Sequence, residues 1–191
     1  MEFAFTEEQQ MIRETAAQFL ADNCDSAAVR RAMATDTGFE PGMWQRIAGE
    51  MCWTAIHIPE EHGGLGLGYV ELVAVMEQMG RYLLCAPYFS SVCLGANALL
   101  VAGDEAQKAG YLPRIADGSL RATLAWCDAS GRWDAAGVSA TAVRGGDGFV
   151  LNGSYRFVVD GHSADLLIVA ARAPGSVGNE GISLFAVPAD T

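Results

Sequence analysis

Residues 58–81 read IPEEHGGLGLGYVELVAVMEQMGR, a glycine-rich stretch followed directly by apolar residues at helical spacing. This spacing predicts a helix over residues 69–79, with Gly80 as its stop signal. A glycine cluster can bind phosphate, but GGLGLG lacks the GxGxxG spacing because Tyr69 stands where the third glycine would be. It also lacks the Gly-Lys-Ser/Thr that completes a P-loop. We therefore predict a structural turn between two helices, in which glycine permits positive φ.

Helical patterns on both sides of this stretch indicate that the first two thirds of the chain is helical. Thr6 and Gln9 have the spacing of a capping box, which predicts a helix N-terminus. A short helix is predicted from about Pro41, and another follows Asp104 and ends near Ala116. These patterns predict an all-α helical bundle.

The uncharged segment 83–103 is long enough to span a bilayer. Polar residues and a proline interrupt it, and no basic flank orients it. A buried core helix is the preferred interpretation, and we expect no membrane span.

The pattern changes after Asp117-Gly118, where short β-branched and aromatic runs are separated by glycine-rich turn signals. The runs cover residues 121–126, 138–143, 149–159, 165–171 and 181–187. They lie too close together for crossover helices, so the sequence predicts an antiparallel sheet. The predicted organisation is an α+β multidomain chain: a helical domain over 1–118 and a β domain over 119–191.

Charge and composition exclude several classes of function. A net charge of −11 has the wrong sign for binding a nucleic-acid backbone. Five cysteines and three histidines are dispersed without zinc spacing, so no metal site is predicted. The N-terminal stretch MEFAFTEEQQ has no signal-peptide pattern, and we expect a reducing, cytoplasmic location.

No catalytic constellation is visible in the sequence. His57, His62 and His162 are isolated from one another and from any nucleophile, and ordinary surface or core roles are favoured. The pair Glu60-Glu61 is better interpreted as a solvated turn, since adjacent residues do not converge on one substrate.

Taken together, four stretches resemble the acyl-CoA dehydrogenase family of flavoproteins, in the expected order along the chain. The stretches are FTEEQQMIRETAAQFLAD (5–22), IPEEHGGLGLGYVELVAVMEQMGR (58–81), EAQKAGYLPRIADGSLRATLAW (105–126) and LNGSYRFVVDGHSADLLIVAAR (151–172). The resemblance implies a helical domain, an antiparallel β-barrel-like domain and a C-terminal four-helix domain, of which this chain covers the first and, over 119–191, an incomplete part of the second. It therefore implies that the sequence is a fragment of a longer protein or is completed by a separate chain.

The implied reaction is α,β-dehydrogenation of an acyl-CoA thioester, with FAD as the cofactor and an electron-transfer flavoprotein as the electron acceptor. The resemblance also implies a homo- or hetero-oligomer and a role in fatty acid or lipid metabolism. Its catalytic glutamate lies in the C-terminal domain, so no residue of this chain is assigned as catalytic. The 191 residues alone are expected to be inactive.

Two stretches of this chain match the family's flavin-contacting segments. In the first, Cys127 stands at the family's threonine, Asp128 at its glutamate, and Trp133 near its serine; Trp126 precedes them. In the second, Phe157 stands at the tryptophan that packs on the flavin, within a predicted strand. The resemblance therefore assigns cofactor binding to Trp126, Cys127, Asp128, Trp133, Phe157 and Val159.

Two of these matches depart from the family pattern in their chemistry. Val159 stands at a threonine whose hydroxyl reaches flavin N5, and valine has no hydroxyl. The thiol of Cys127 is a weaker donor than a hydroxyl. Each lost hydrogen bond costs on the order of 1 kcal/mol in binding or tuning the flavin.

Three functions stay open at this point. The first is a working FAD-dependent acyl-CoA dehydrogenase with an altered flavin pocket. The second is a non-catalytic subunit that scaffolds a catalytic homologue in a heteromer. The third is a flavin monooxygenase on the same fold, because a fold alone does not fix a function.

Overall fold

The computed structural model describes residues 4–191; residues 1–3, part of the stretch inspected for a signal peptide, lie outside the described residues. The chain forms two compact units. The helical unit consists of the residues up to Tyr88 together with Glu105–Ser119, and the sheet unit consists of Phe89–Asp104 together with Leu120–Thr191.

The segment 89–104 therefore packs with the sheet, whereas the predicted division placed everything up to residue 118 in the helical domain. Gly95 shows why, because a Cβ added there would lie 2.4 Å from the Cβ of Ala122. The hydroxyl of Ser91 also accepts a 3.2 Å hydrogen bond from the Ala122 amide. A side chain at position 95 would separate the two backbones.

Within the described residues, the helical unit contains five α-helices. They are α1 (Glu7–Asn23), α2 (Ser26–Met33), α3 (Pro41–Gly49), α4 (Tyr69–Arg81) and α6 (Glu105–Ala116). Helix α5 (Asn97–Ala102) lies between α4 and α6 in the chain and belongs to the sheet unit. Short 3₁₀ turns at Trp53–Ala55 and Glu60–His62 connect α3 to α4. Helix α2 was not predicted from the sequence.

Local sequence explains where these helices begin and how they pack. The predicted capping box is confirmed: the Gln9 amide donates to Thr6 Oγ1, and the Thr6 amide donates to Gln9 Oε1. Helix α1 packs along α4. The fully buried side chains of this unit are mainly aliphatic and include Leu20, Ile47, Ile58, Val75, Leu112 and Ile115.

The glycine-rich loop is a tight turn, and its predicted positive φ angles are confirmed at Gly63 (78°) and Gly66 (63°). Gly64 has no room for a side chain, since a Cβ there would lie 1.8 Å from the carbonyl oxygen of Ile58. The Leu65 amide donates a 2.9 Å hydrogen bond to the Ala55 carbonyl. The loop therefore folds back against the segment that precedes it, and the glycines serve this close approach.

The sheet unit begins with a π-helix at Phe89–Ala96, which runs into α5 (Asn97–Ala102). Its strands are β1 (Ala122–Ala125), β2 (Thr141–Gly145), β3 (Gly148–Asn152), β4 (Leu166–Arg172) and β5 (Ile182–Pro188). Across residues 4–191, the helices are all too short or too polar to cross a bilayer.

The sheet is mixed, which corrects the prediction of an antiparallel sheet. Strands β2 and β3 form an antiparallel hairpin, and β5 pairs antiparallel with β4 along its whole length. Strand β1, however, pairs in parallel with β4, with Ala122 opposite Leu166 and Ala125 opposite Val169. The chain between β1 and β4 is long enough to return without an α-helix: the β2–β3 hairpin, a 3₁₀ turn at Ala135–Gly137 and irregular loops fill the crossover.

Candidate functional site

The two stretches predicted to contact the cofactor lie side by side in the sheet unit. The Arg156 amide donates a 2.8 Å hydrogen bond to the carbonyl oxygen of Cys127. The hydroxyl of Thr123, on β1, donates a 2.7 Å hydrogen bond to the carbonyl oxygen of Val159. The end of β1 and the loop before β4 are therefore joined at two points.

The first stretch starts buried and becomes exposed along its length. Cys127 is 3% exposed, and its Sγ lies 3.6 Å from the carbonyl oxygen of Asp128. Trp133 is 62% exposed. The rings of Trp126 and Trp133 meet edge to face, with 4.9 Å between centroids. This contact closes the stretch into a loop with an accessible aromatic surface.

The charged side chains of this loop form hydrogen bonds with residues that are close to them in sequence. The amide and hydroxyl of Ser130 both donate to Asp128 Oδ1, at 2.8 and 2.6 Å. These hydrogen bonds, with a further one from Ser139, lower the pKa of Asp128. Arg132 donates a 2.8 Å hydrogen bond to Asp134. Asp128 therefore acts within the loop as an acceptor that shapes the turn.

The second stretch is an irregular loop at Phe157 and Val159, which corrects the predicted strand over 149–159. Strand β3 ends at Asn152. Phe157 and Asp160 both adopt left-handed backbone conformations, with φ of 56° and 52°. A β-strand cannot contain such residues, because strands need extended backbone. The ring of Phe157 is 69% exposed.

Contacts from other elements hold this loop in place. The hydroxyl of Ser90, on the π-helix, donates a 2.7 Å hydrogen bond to Asp160 Oδ2. The hydroxyl of Tyr155 donates a 2.7 Å hydrogen bond to the carbonyl of Ala170, on β4. Burial raises the pKa of Tyr155 to about 12, so this phenol stays a donor at physiological pH.

Sequence reasoning missed the residues that position the site. Thr123 is fully buried and ties the two stretches together. The buried guanidinium of Arg172 donates to the carbonyl oxygens of Val138 and Ala135, which end the loop begun at Cys127. Thr123 and Arg172 are polar residues at strand positions where the sequence pattern predicts a core side chain. A polar residue at such a position is the sequence signal that could have identified them.

The histidines and metal-ligand residues do not form a second centre. His57 and His62 lie in the helical unit and are largely buried, whereas His162 is exposed in the sheet unit. Over the described range 4–191, no group of three or more His, Cys, Asp or Glu side chains is arranged to hold a metal ion.

The chain is similar to an isovaleryl-CoA dehydrogenase of Arabidopsis thaliana, described as mitochondrial. The two are 30% identical over 187 residues, which is 96% of this chain and 45% of the relative. The chain thus spans about half the length of the curated relatives it matches.

Two solved structures share the fold. A structure described as the electron-transferring flavoprotein of Acidaminococcus fermentans matches with a TM-score of 0.85 and 32% identity, over 98% of this chain and 49% of that one. A chain of the ChsE4–ChsE5 complex from Mycobacterium tuberculosis matches with a TM-score of 0.85 and 26% identity, over 99% of this chain and 49% of that one.

The family model for the N-terminal domain of acyl-CoA dehydrogenases matches residues 6–119, more than half of the chain. The match covers the capping box, the glycine turn and all the helices of the helical unit. The chain belongs to the acyl-CoA dehydrogenase family.

Proposed function

We propose that this chain supplies the flavin-binding part of an FAD-dependent acyl-CoA dehydrogenase that passes its electrons to an electron-transfer flavoprotein. One observation carries the proposal: the two stretches that family resemblance assigns to the flavin are joined by the Cys127–Arg156 and Thr123–Val159 hydrogen bonds. These bonds hold both stretches in one part of the sheet unit, as a single cofactor site requires.

The residues present fit a planar heterocycle better by stacking than by side-chain hydrogen bonding. Phe157 presents an exposed ring, and Trp133 adds a second exposed aromatic surface. The Cys127 thiol lies near a backbone carbonyl, and Val159 has no polar side-chain atom. In this proposal, the ring of Phe157 stacks on the isoalloxazine while the backbone amides of Trp126 and Cys127 donate to its edge.

When bound, FAD supplies the hydride-accepting chemistry of the reaction. The task of this chain is to bind and orient that cofactor and to keep water from one side of it. No residue of this chain is proposed as the catalytic base that removes the α-proton. Consequently, we expect no dehydrogenase turnover from these 191 residues alone.

The proposed partners follow from the family and from the structural relatives. An acyl-CoA thioester is the proposed substrate. The likeness to a structure described as an electron-transferring flavoprotein supports a partner of that class. A cytoplasmic location remains part of the proposal, although the Arabidopsis relative is described as mitochondrial.

A second candidate is a scaffold subunit without its own catalysis, paired with a catalytic homologue. The likeness to a chain of the ChsE4–ChsE5 complex favours it, because that structure contains two different named chains. The departures at Cys127 and Val159 also favour it, since they remove side-chain groups expected to serve the flavin.

The test is to purify the protein that contains this chain, together with any chain that accompanies it, and to record its visible spectrum. A bound flavin that bleaches when an acyl-CoA is added without oxygen supports the dehydrogenase. A colourless protein that purifies with a related chain supports the scaffold. A third outcome would contradict both the dehydrogenase and the scaffold. In that outcome the bound flavin stays oxidised with every acyl-CoA, but it supports oxygen-dependent hydroxylation after an external reductant has reduced it.

A further inference from the structure

The helical unit contains a cavity of about 270 Å³ whose wall includes two cysteines, Cys24 and Cys85. We call it the dithiol cavity. Its wall also includes Val29, Met43 and Arg46. Both cysteines are free and half-buried. They are distant in sequence, so the fold brings them to the same space.

Cys24 is held at the cavity by the end of α1. Its amide donates a 2.8 Å hydrogen bond to the carbonyl of Leu20, and its φ of −119° ends the helix. Asn23, just before it, donates from Nδ2 to the carbonyl of Phe19 at 2.7 Å. Asp25, just after it, caps the N-terminus of α2. Fixed backbone on both sides leaves the thiol little freedom beyond its own rotamers.

Cys85 is brought to the cavity by the turn that follows α4. The Leu84 amide donates a 3.0 Å hydrogen bond to the carbonyl of Met79, and Leu83 takes a left-handed conformation with φ of 54°. A non-glycine residue in this conformation is strained by about 1 kcal/mol or more. This turn is therefore specified by its surroundings, and it directs the chain after α4 toward the cavity.

The environment of Cys24 favours the protonated thiol. The pKa of Cys24 is raised, first by burial, then by the neighbouring Cys85 and by Asp25. Cys24 is therefore protonated at neutral pH, and its reactivity rises as the pH rises, because the thiolate is the nucleophile.

We propose that Cys24 and Cys85 form a reversible oxidation site that closes to a disulfide by exchange with a low-molecular-weight disulfide of the glutathione type. One cysteine thiolate attacks a sulfur of the small disulfide, whose S–S bond breaks and releases one small thiol. The second cysteine thiolate attacks the protein sulfur of the mixed disulfide and releases the second small thiol. The two protein thiol protons pass to the two released thiols, so the protein is oxidised and the small disulfide is reduced.

The cavity explains why this pair is suited to the exchange. Both cysteines line it, and its volume gives space beside them for the first small-thiol adduct. The product links the end of α1 to the turn after α4. A cross-link between such distant positions restricts the unfolded chain and raises thermal stability.

The test titrates the reduced protein with oxidised glutathione at pH 7 and pH 8.5, followed by alkylation and peptide mass spectrometry. We expect loss of two thiols per chain, a linked Cys24–Cys85 peptide, a faster reaction at pH 8.5, and reversal by dithiothreitol. The linked protein should unfold several degrees higher than the reduced protein.

Serine variants distinguish the pair from general thiol reactivity. Cys24→Ser and Cys85→Ser should each abolish the linked peptide and the rise in thermal stability. Cys52→Ser is the matched control, because Cys52 is another half-buried cysteine that lines a different cavity, and it should leave both unchanged. Stable glutathione adducts on Cys24 and Cys85 without a linked peptide would overturn the proposal. So would a disulfide that involves a different pair.

Discussion

The hydroxyl of Thr123 donates a 2.7 Å hydrogen bond to the carbonyl oxygen of Val159, and this bond joins β1 to the loop that precedes β4. Thr123 is fully buried, so no water competes for the bond. The relationship matters because Val159 is one of the residues that we propose to lie at the flavin. The proposed cofactor site therefore depends on Thr123, although the Thr123 side chain does not contact the cofactor in our proposal.

The first prediction removes this hydroxyl while keeping the shape of the side chain. Thr123→Val should lower the free energy of unfolding by about 1–2 kcal/mol, because the Val159 carbonyl loses its donor. FAD affinity should fall as the loop loosens. Urea unfolding and flavin titration measure the two effects. The matched control is Thr141→Val, whose hydroxyl makes only a 3.4 Å contact with the Asn152 carbonyl; equal losses in both variants would contradict the prediction.

The second prediction concerns the exposed ring of Phe157. Phe157→Gly should weaken FAD binding roughly fivefold, as expected for one lost aromatic contact. Stability should change by less than about 1 kcal/mol, since glycine accepts the left-handed backbone without strain. Phe157→Trp, which restores the family's residue, should keep binding intact. Unchanged FAD affinity in the glycine variant would show that the ring does not contact the flavin.

The third prediction restores a group that the family uses. Val159→Thr should tighten FAD binding by up to about fivefold, because one added hydrogen bond contributes about 1 kcal/mol. Equilibrium titration of the apoprotein with FAD is the measurement. Val158→Thr places the same hydroxyl one residue away and should produce no gain. If both variants bind alike, the hydroxyl at 159 does not reach the flavin.

The fourth prediction is a pH dependence of stability that arises from Glu71. Its pKa is lowered, first by the hydrogen bond from the Gln9 side chain and then by backbone donors at the start of α4. A depressed folded-state pKa stabilises the fold fully above the ordinary value of 4.5. This contribution is lost as the pH falls through the depressed value.

Glu71→Gln should therefore flatten the decline of the unfolding midpoint between about pH 5 and pH 3. Thermal unfolding across that range is the measurement. The comparison variant is Glu180→Gln, an exposed carboxylate in the turn before β5, which should leave the decline as it is. A Glu71→Gln profile parallel to that of the unchanged protein would contradict the assignment.

The fifth prediction tests the close approach at Gly64. Gly64→Ala should destabilise the helical unit by roughly 3 kcal/mol or more, because its Cβ would overlap the Ile58 carbonyl oxygen and the backbone would have to shift. Gly110→Ala, in the open middle of α6, should instead stabilise by about 0.5–1 kcal/mol. Denaturant unfolding of both variants is the measurement. A mild effect at position 64 would mean that the loop relaxes easily.

Features that depend on neighbouring residues could be predicted from the sequence. The capping box at Thr6 and Gln9 and the positive φ at Gly63 and Gly66 are local, and the structure confirms them. Helix α2 was missed although Asp25 caps it through a hydrogen bond from the Ala28 amide. An aspartate before a short alanine- and arginine-rich run was the available signal.

Features set by distant contacts could not be predicted. The loop at 157–160 has the composition of a strand, but the bonds from Thr123 and Ser90 hold it in a left-handed, irregular path. The parallel pairing of β1 with β4 likewise depends on residues about forty positions apart. The sequence pattern therefore identified the candidate stretches, whereas contacts between distant residues determined their backbone conformation.

The mixed sheet also has a consequence for the order in which this unit assembles. The β2–β3 hairpin joins residues that are close in sequence, so it can form within microseconds of collapse. Strand β1 finds β4 only after the whole intervening segment has been closed into a loop. We therefore expect the pairing of β1 with β4 to be slower than formation of the hairpin, and the Thr123–Val159 contact to form late. A folding intermediate that stopped at this stage would contain the β2–β3 hairpin. It would lack the ordered loop at Val159 to which we assign cofactor binding.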